Sequence, residues 1–108
     1  MREVILRPDA EADLQETAEY TIEAWGRDQA LLYIQDLRRA IESLATTALQ
    51  NQLHEDVLPG LRRKRSGMHH IYYLVTEESV DILSVLHVQR DPGLRLEGDI
   101  WSSDKNND

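Results

Sequence analysis

Residues 59–91 read PGLRRKRSGMHHIYYLVTEESVDILSVLHVQRD, and this stretch decides the fold. It contains two runs rich in Ile, Val, Leu and Tyr, residues 69–75 and 80–88, and these residue types suit a pleated, packed strand. The polar link TEES at residues 76–79 joins the two runs, so we predict a β-hairpin. Because both faces of each run are apolar, the hairpin is expected in the middle of a sheet.

Strict alternation along the second run predicts which side chains share a face of the sheet. The two groups expected from it are Val80, Ile82, Leu86 and Val88 on one face, and Leu83 and Val85 on the other. In the first run the same rule directs His69 and His70 to opposite faces.

The N-terminal half predicts two amphipathic helices after a short strand at residues 2–6. Pro8 suits the first helical position, and from there to Trp25 the apolar residues share one arc of about 120°. Gly26 is expected to end this helix. A second apolar arc of about 120° predicts a helix over residues 28–47, with Asp28 as its N-cap. The short gap between the helices predicts an antiparallel helical hairpin.

The remaining elements complete an α+β fold. Residues 46–57 are interpreted as a connection and residues 61–65 as a strand beside the hairpin, so the order is β-α-α-β-β-β. We expect the helical hairpin to pack on one face of a small, mainly antiparallel sheet and to leave the other apolar face uncovered. Residues 1–93 form the single predicted domain, and residues 94–108 a flexible polar tail. The predicted core includes Leu14, Trp25, Ile34, Leu37, Ile41, Tyr73 and Val85.

Composition narrows the functional classes. The 108 residues carry a net charge of −8 and no cysteine, which excludes disulfides, thiolate nucleophiles and cysteine-based zinc sites. No apolar run approaches the roughly 20 residues of a membrane span, so we expect a soluble, cytoplasmic chain with no membrane partner. Residues 8–28 contain seven acids against Arg27 alone, whereas residues 61–76 contain four bases and no acid. An acidic total disfavours nucleic acid as the main partner.

Four pieces of sequence together resemble a known family over about residues 4–91. They are Leu6-x-Pro8-x-Ala10-x-x-Asp13-Leu14; Tyr20 through Trp25-Gly26; Pro59-Gly60-Leu61-Arg62 with Gly67-x-His69-x-Ile71-Tyr72-Tyr73; and Val85-Leu86-His87 with Asp91. In this order they resemble the ParE branch of the RelE/ParE toxin superfamily. Two positions depart from that pattern, since Arg7 replaces the Ser or Thr that often precedes the helical proline, and Arg90 is displaced by one residue after His87.

The resemblance implies a toxin of a type II toxin–antitoxin system. Such a toxin binds and inhibits DNA gyrase, needs no catalytic group or cofactor, and is neutralised by a cognate ParD-like antitoxin. The toxin alone is not expected to bind nucleic acid sequence-specifically. A detoxified member that is kept for autoregulation with its partner is equally compatible with the sequence.

The candidate partner-binding residues are the basic run Arg62, Arg63, Lys64 and Arg65, together with Trp101. The basic run would meet an acidic antitoxin segment, or it is an edge strand whose charge discourages aggregation. Trp101 would contact another protein, as exposed aromatic residues often do, or fold back onto the sheet.

The alternative function is a RelE-like, ribosome-dependent messenger-RNA endonuclease. That chemistry must activate a ribose hydroxyl, stabilise the phosphorane charge and protonate the leaving oxygen. The residues available for it are Lys64, Arg65, Tyr73, His87 and Arg90. In the simpler interpretation, Tyr73 and His87 are sheet residues whose polar tips reach solvent or a neighbour.

The four histidines do not predict a metal site. His54, His69, His70 and His87 include no pair at the i, i+4 helical spacing of metalloproteases, and His69 and His70 are expected on opposite faces of a strand.

Overall fold

The computed structural model describes residues 1–93, 95 and 96, and it confirms the predicted α+β class and element order. The elements are β1 (Glu3–Leu6), α1 (Pro8–Trp25), α2 (Arg27–Thr47), a short 3₁₀ helix (Ala48–Gln50), β2 (Arg62–Ser66), β3 (His69–Val75) and β4 (Ser79–His87).

The sheet has the order β1-β4-β3-β2, so the predicted hairpin β3–β4 occupies its centre. Strand β1 runs parallel to β4, whereas β2–β3 and β3–β4 are antiparallel. Strand β2 is an outer strand, but its start is covered by the preceding segment, where Leu53 forms a bridge with Arg62.

A single glycine separates the two helices. Gly26 has φ +91°, and its N–H donates to the carbonyl oxygen of Ile22, which ends α1 as predicted. The same residue is the N-cap of α2, which begins at Arg27. The prediction that Asp28 is the N-cap is therefore wrong, because the left-handed glycine reverses the chain within one residue. Asp28 lies inside the first turn, where its charge still interacts favourably with the helix dipole.

The main core lies between the helical hairpin and one face of the sheet. Five of the predicted core residues are buried there, namely Leu14, Leu37, Ile41, Tyr73 and Val85, and Ile34 packs against them while partly exposed. The placement of Trp25 in the core is wrong, since its side chain is 72% exposed. No residue of α1 after Thr21 is buried. The last turn of the helix therefore extends past the part of the domain against which its apolar face packs.

The opposite face of the sheet carries a second buried cluster. Tyr72, Leu83 and Leu86 from the central strands pack there with Leu61 and Leu96. Val57 and Leu58 add partly buried contacts from the segment before β2. The prediction of an uncovered apolar face is therefore wrong, because the connection and Leu96 cover it.

A β-bulge in β4 changes which of its side chains share a face. Tyr72 pairs with Ser84, whereas Tyr73 pairs with Ile82, so Leu83 is an extra residue on β4. As a result Val85 joins Ile82 in the helix-side core, and Leu86 joins Leu83 in the outer cluster. The grouping predicted from strict alternation is wrong here, because one inserted residue exchanges the faces for the rest of the strand.

The carboxylate of Asp13 on α1 binds this bulge. Its Oδ2 accepts the Ser84 hydroxyl at 2.7 Å and the Val85 N–H at 2.9 Å. Its Oδ1 pairs with the Arg95 guanidinium at 3.1 Å, although Asp13 is only 6% exposed. A buried carboxylate is tolerated when such partners replace its lost hydration. Asp13 thus connects α1, β4 and the segment that contains Leu96.

The predicted domain boundary at residue 93 and the flexible tail of residues 94–108 stay predictions. Of that segment the structure describes Arg95 and Leu96, and both pack against the rest of the domain.

We expect Asp13→Ala to lower the free energy of unfolding by about 3–5 kcal/mol, because it removes one partner of a buried charge pair and leaves buried donors without an acceptor. Urea denaturation followed by circular dichroism measures the change. Asp9→Ala is the matched control, since Asp9 lies 3.9 Å from the same Arg95 but is half exposed, and its loss should cost less than about 1 kcal/mol. Equal effects of the two substitutions would contradict the role assigned to Asp13.

Candidate functional site

Tyr33 of α2 and His69 of β3 form a short polar contact on the helix side of the sheet. The Tyr33 hydroxyl accepts the backbone N–H of Met68 at 2.8 Å and lies 2.6 Å from Nδ1 of His69. Because the hydroxyl already accepts one hydrogen bond, we assign its own proton to the bond with Nδ1. His69 is then neutral with its proton on Nε2, which lies 3.5 Å from the Thr17 hydroxyl.

Burial lowers the pKa of His69, and the neighbouring His87 lowers it further, against an opposing effect of Asp13. The rings of His69 and His87 meet edge to face with centroids 5.6 Å apart. His87 itself is exposed, and its Nδ1 accepts the backbone N–H of Gln89 at 3.2 Å. The lowered pKa agrees with the neutral state that the Tyr33 hydrogen bond assigns to His69.

The turn between β2 and β3 approaches Tyr33 closely at Gly67. This glycine has φ +58°, and a Cβ built on it would lie 2.7 Å from the Tyr33 oxygen. Only glycine combines that left-handed conformation with the missing side chain. Gly67 therefore allows the Met68 N–H to reach the Tyr33 hydroxyl.

An open groove of about 630 Å³ lies above this contact, between the two helices and the β2–β3 turn. We call it the corner groove. Its walls are formed by large apolar side chains that remain exposed, Tyr20 and Trp25 of α1, Leu32 of α2 and Met68 of the turn. His69 and His87 line it as well.

Only part of the predicted basic run is available to a partner. Arg62 donates from Nη1 to the carbonyl oxygens of Asn51 at 2.6 Å and Leu49 at 3.3 Å, so it supports the connection before β2. Arg65 donates from Nε to the Gly67 carbonyl oxygen at 2.9 Å, but its side chain remains exposed and accessible to a partner. Within the described residues, no hydrogen bond or ion pair engages the side chains of Arg63 and Lys64.

The basic run also divides between the two faces of the sheet. Arg63 pairs with Tyr72 and Arg65 with His70, so these two arginines lie on the outer face. Burial, followed by the charges of Arg63 and Arg65, lowers the pKa of His70 to about 4. We call Arg63, Arg65 and His70 the outer basic face. Lys64 lies on the helix side opposite Ile71.

The five residues of the alternative function are not brought together. Tyr73 is buried, and its hydroxyl donates to the Ala48 carbonyl oxygen at 2.7 Å and accepts from the Asn51 side chain at 3.0 Å. Burial raises the pKa of Tyr73. His87 pairs with His69, four residues along β3 from Tyr73, a separation of about 13 Å. Arg65 lies on the opposite face from both.

Arg90, the fifth of these residues, lies beside His87 in a smaller cleft of about 230 Å³ that adjoins the corner groove. This cleft is also lined by Asp13 and Glu16.

The remaining candidates concern metal, membrane and the tail. Among the described residues, no three His, Asp or Glu side chains cluster as a metal site would require. No helix in the same part of the chain combines the length and apolarity needed to cross a bilayer. Trp101 lies outside the described residues, so its role as a partner contact stays a prediction.

Sequence reasoning missed the corner groove. Periodicity assigned Trp25 to the core, and no sequence pattern assigned Leu32 or Tyr33 to a binding surface. The exposed Met68 between Gly67 and His69 carried no signal of its own. The aromatic residues near the end of α1, Tyr20 and Trp25, were the available indication, since both lie in a helix otherwise rich in acids.

Comparison with known proteins shows that this chain is similar to bacterial toxins. Residues 4–92 match the family model described as "ParE toxin of type II toxin-antitoxin system, parDE". Toxin ParE1 of Mycobacterium tuberculosis is 35% identical over 88 residues, which are 81% of this chain and 90% of that protein. Toxin ParE1 of Caulobacter vibrioides is 37% identical over 78 residues, 72% of this chain and 80% of the relative.

A solved structure described as "Chromosomal ParDE TA system from P. aeruginosa" superimposes with a TM-score of 0.71. The aligned region covers 81% of this chain and 96% of that one at 21% sequence identity. At this identity the likeness establishes the shared fold.

We expect the free energy of unfolding to fall as the pH is lowered from 7.5 to 5. The pKa values of His69 and His70 are lower in the folded chain than the value of about 6.5 in an unfolded one, so the unfolded state binds more protons in this range. The contribution of these two histidines to the free energy of unfolding is fully present above pH 6.5. It is lost as the pH falls toward the folded-state pKa, which is about 4 for His70. Urea titrations at several pH values should show a shallower dependence for His70→Gln, and a wild-type stability that rises on acidification would contradict the assignment.

Proposed function

We propose that this chain, which belongs to the ParE toxin family of type II toxin–antitoxin systems, acts by binding DNA gyrase and inhibiting it. Family membership is the observation that supports this proposal, because the match to the family extends over residues 4–92 and includes both helices and nearly the whole sheet. The proposed target is a cytoplasmic enzyme, so the proposal also locates the toxin in the cytoplasm. Trapping a gyrase–DNA intermediate requires a rigid binding surface and no catalytic group of the toxin.

The placement of the alternative catalytic residues supports a binding toxin. The Tyr73 hydroxyl is engaged by Ala48 and Asn51 inside the core, so an RNA ribose could reach it only after the core had opened. General acid or base catalysis requires a group within hydrogen-bonding reach of the substrate. Tyr73 therefore serves the fold, and His87 and Arg90 remain exposed at the far end of the sheet.

We further propose that a cognate ParD-like antitoxin neutralises the toxin through an acidic segment on the outer basic face. Arg63 and Arg65 point the same way beside His70, and Lys64 extends the positive charge along the edge strand. The chain as a whole has a net charge of −8, so this local concentration of basic residues is where the carboxylates of an antitoxin segment would be attracted. Trp101 remains a proposed further contact of the antitoxin.

A supercoiling assay with purified gyrase and plasmid DNA tests the target. We expect the wild-type toxin to inhibit supercoiling and to increase the amount of cleaved DNA that remains bound to gyrase. A parallel assay on translating ribosomes should show no messenger-RNA cleavage. Codon-specific cuts by the wild type that disappear in His87→Ala would contradict the proposal and establish the endonuclease.

Reversal of Arg63 and Arg65 to Glu should slow association with the ParD-like antitoxin about 10-fold at low salt and flatten the salt dependence, because exposed charges act mainly on encounter. The dissociation rate should change less. Stopped-flow or surface-based kinetics measure both rates. The control is the reversal of Arg27 and Arg38, two exposed bases on α2, which changes the net charge equally. An unchanged association rate in the first variant would show that the outer basic face is only a solvated surface.

A further inference from the structure

We infer that the corner groove is the surface through which the toxin docks onto its target, and that it takes a protein segment with an apolar side chain flanked by basic residues. The inference rests on the proposed function and adds the position and the chemistry of the contact. Two independent properties of the described residues support it, the exposed apolar walls of the groove and the negative charge around it.

The apolar walls are large side chains that the fold leaves in solvent. Trp25 is 72% exposed, Tyr20 68%, Leu32 59% and Met68 48%. Single exposed apolar residues are common, but a contiguous group around a concave surface marks a site of association. Tryptophan and tyrosine in particular contribute much of the binding energy of protein interfaces.

The backbone that carries the groove walls is held in place by the fold. Trp25 and Leu32 lie on helices that meet at Gly26, and the Met68 N–H donates to Tyr33, which itself contacts His69. A surface that is ordered before binding loses little conformational entropy when a partner docks. The backbone that carries the groove walls is therefore preorganised for association.

The charge around the groove is negative on the α1 side. Glu16 and Glu23 lie four residues before and three residues after Tyr20, so they flank it on the same helical face. Within the described residues no ion pair neutralises either carboxylate. On α2, Asp36 lines the groove and pairs with the exposed Arg39 at 3.4 Å. Arg90 lines the adjoining cleft together with Glu16 and Asp13.

These charges select the occupant. A basic segment gains attraction from Glu16 and Glu23, and an arginine or lysine beside the faces of Trp25 or Tyr20 gains a cation–π contact. An acidic antitoxin segment would instead be repelled, and it has a complementary surface in Arg63 and Arg65 on the outer face of the sheet. The two partners of the toxin are thus assigned to surfaces of opposite charge.

The test uses the full-length toxin, gyrase holoenzyme and plasmid DNA. Trp25→Ala combined with Leu32→Ala should raise the toxin concentration for half-maximal inhibition of supercoiling by about 30-fold, the effect of losing interface residues of this kind. Affinity for the ParD-like antitoxin and the melting temperature should change little, because both side chains are exposed. Leu49→Ala is the matched control, since Leu49 is 54% exposed and lies outside the groove.

A charge-reversal pair tests the chemistry of the occupant. Glu16→Lys with Glu23→Lys should weaken inhibition of gyrase about 10-fold and make it less sensitive to salt. Glu77→Lys with Glu78→Lys changes the net charge equally in the β3–β4 turn, away from the groove, and should leave inhibition unchanged.

The outcomes separate the inference from the function on which it rests. A wild-type toxin that does not inhibit gyrase overturns both. Inhibition by wild type that persists in the Trp25/Leu32 variant overturns the docking surface alone. Loss of antitoxin binding with inhibition retained assigns the groove to the antitoxin. A dimer of the wild type that the same variant dissociates, again with inhibition retained, assigns it to a second copy of the chain.

Discussion

The contact between Asp13 and the bulge of β4 is the constraint on which most of this structure depends. A carboxylate with 6% exposure must be fully paired, and Ser84, Val85 and Arg95 supply its partners. The bulge in turn decides that Val85 faces the helices and Leu86 faces the outer cluster. Arg95 holds the chain where Leu96 can cover that cluster. One side chain thus couples the helix hairpin, the register of the central strand and both cores.

The same arrangement determines where binding surfaces can lie. Both faces of the sheet centre are covered, one by the helices and the other by Leu61, Leu96 and the segment before β2, so the sheet centre offers no apolar face to a partner. Two accessible surfaces of the described residues are the corner groove beyond the last buried turn of α1 and the outer basic face of β2. The first is acidic and aromatic, and the second is basic. In the proposed mechanism this separation lets one small domain recognise two partners of different chemistry.

Several features were predictable because they depend on neighbours along the chain. The strands of the hairpin, the two amphipathic helices and the stop at Gly26 follow from residue type and periodicity, and the family motifs placed them in order. Asp28 was misassigned because a local cap preference competed with a glycine that ends one helix and begins the next. Trp25 was misassigned because periodicity gives the face of a helix but not the length of the surface that covers it.

By itself, the sequence determined the fold class, the element order and the family, since these rest on local propensity, on the period of the apolar residues and on short motifs. The tertiary structure alone decided the side-chain faces of β4 after Leu83, because a bulge depends on the partner strand and on Asp13, 71 residues away from Ser84. It also decided which apolar residues stay exposed, since burial requires a covering surface from elsewhere in the chain. The corner groove is an example. Trp25, Leu32 and Met68 are separate in sequence, and they share one surface only after the helical hairpin has packed on the sheet.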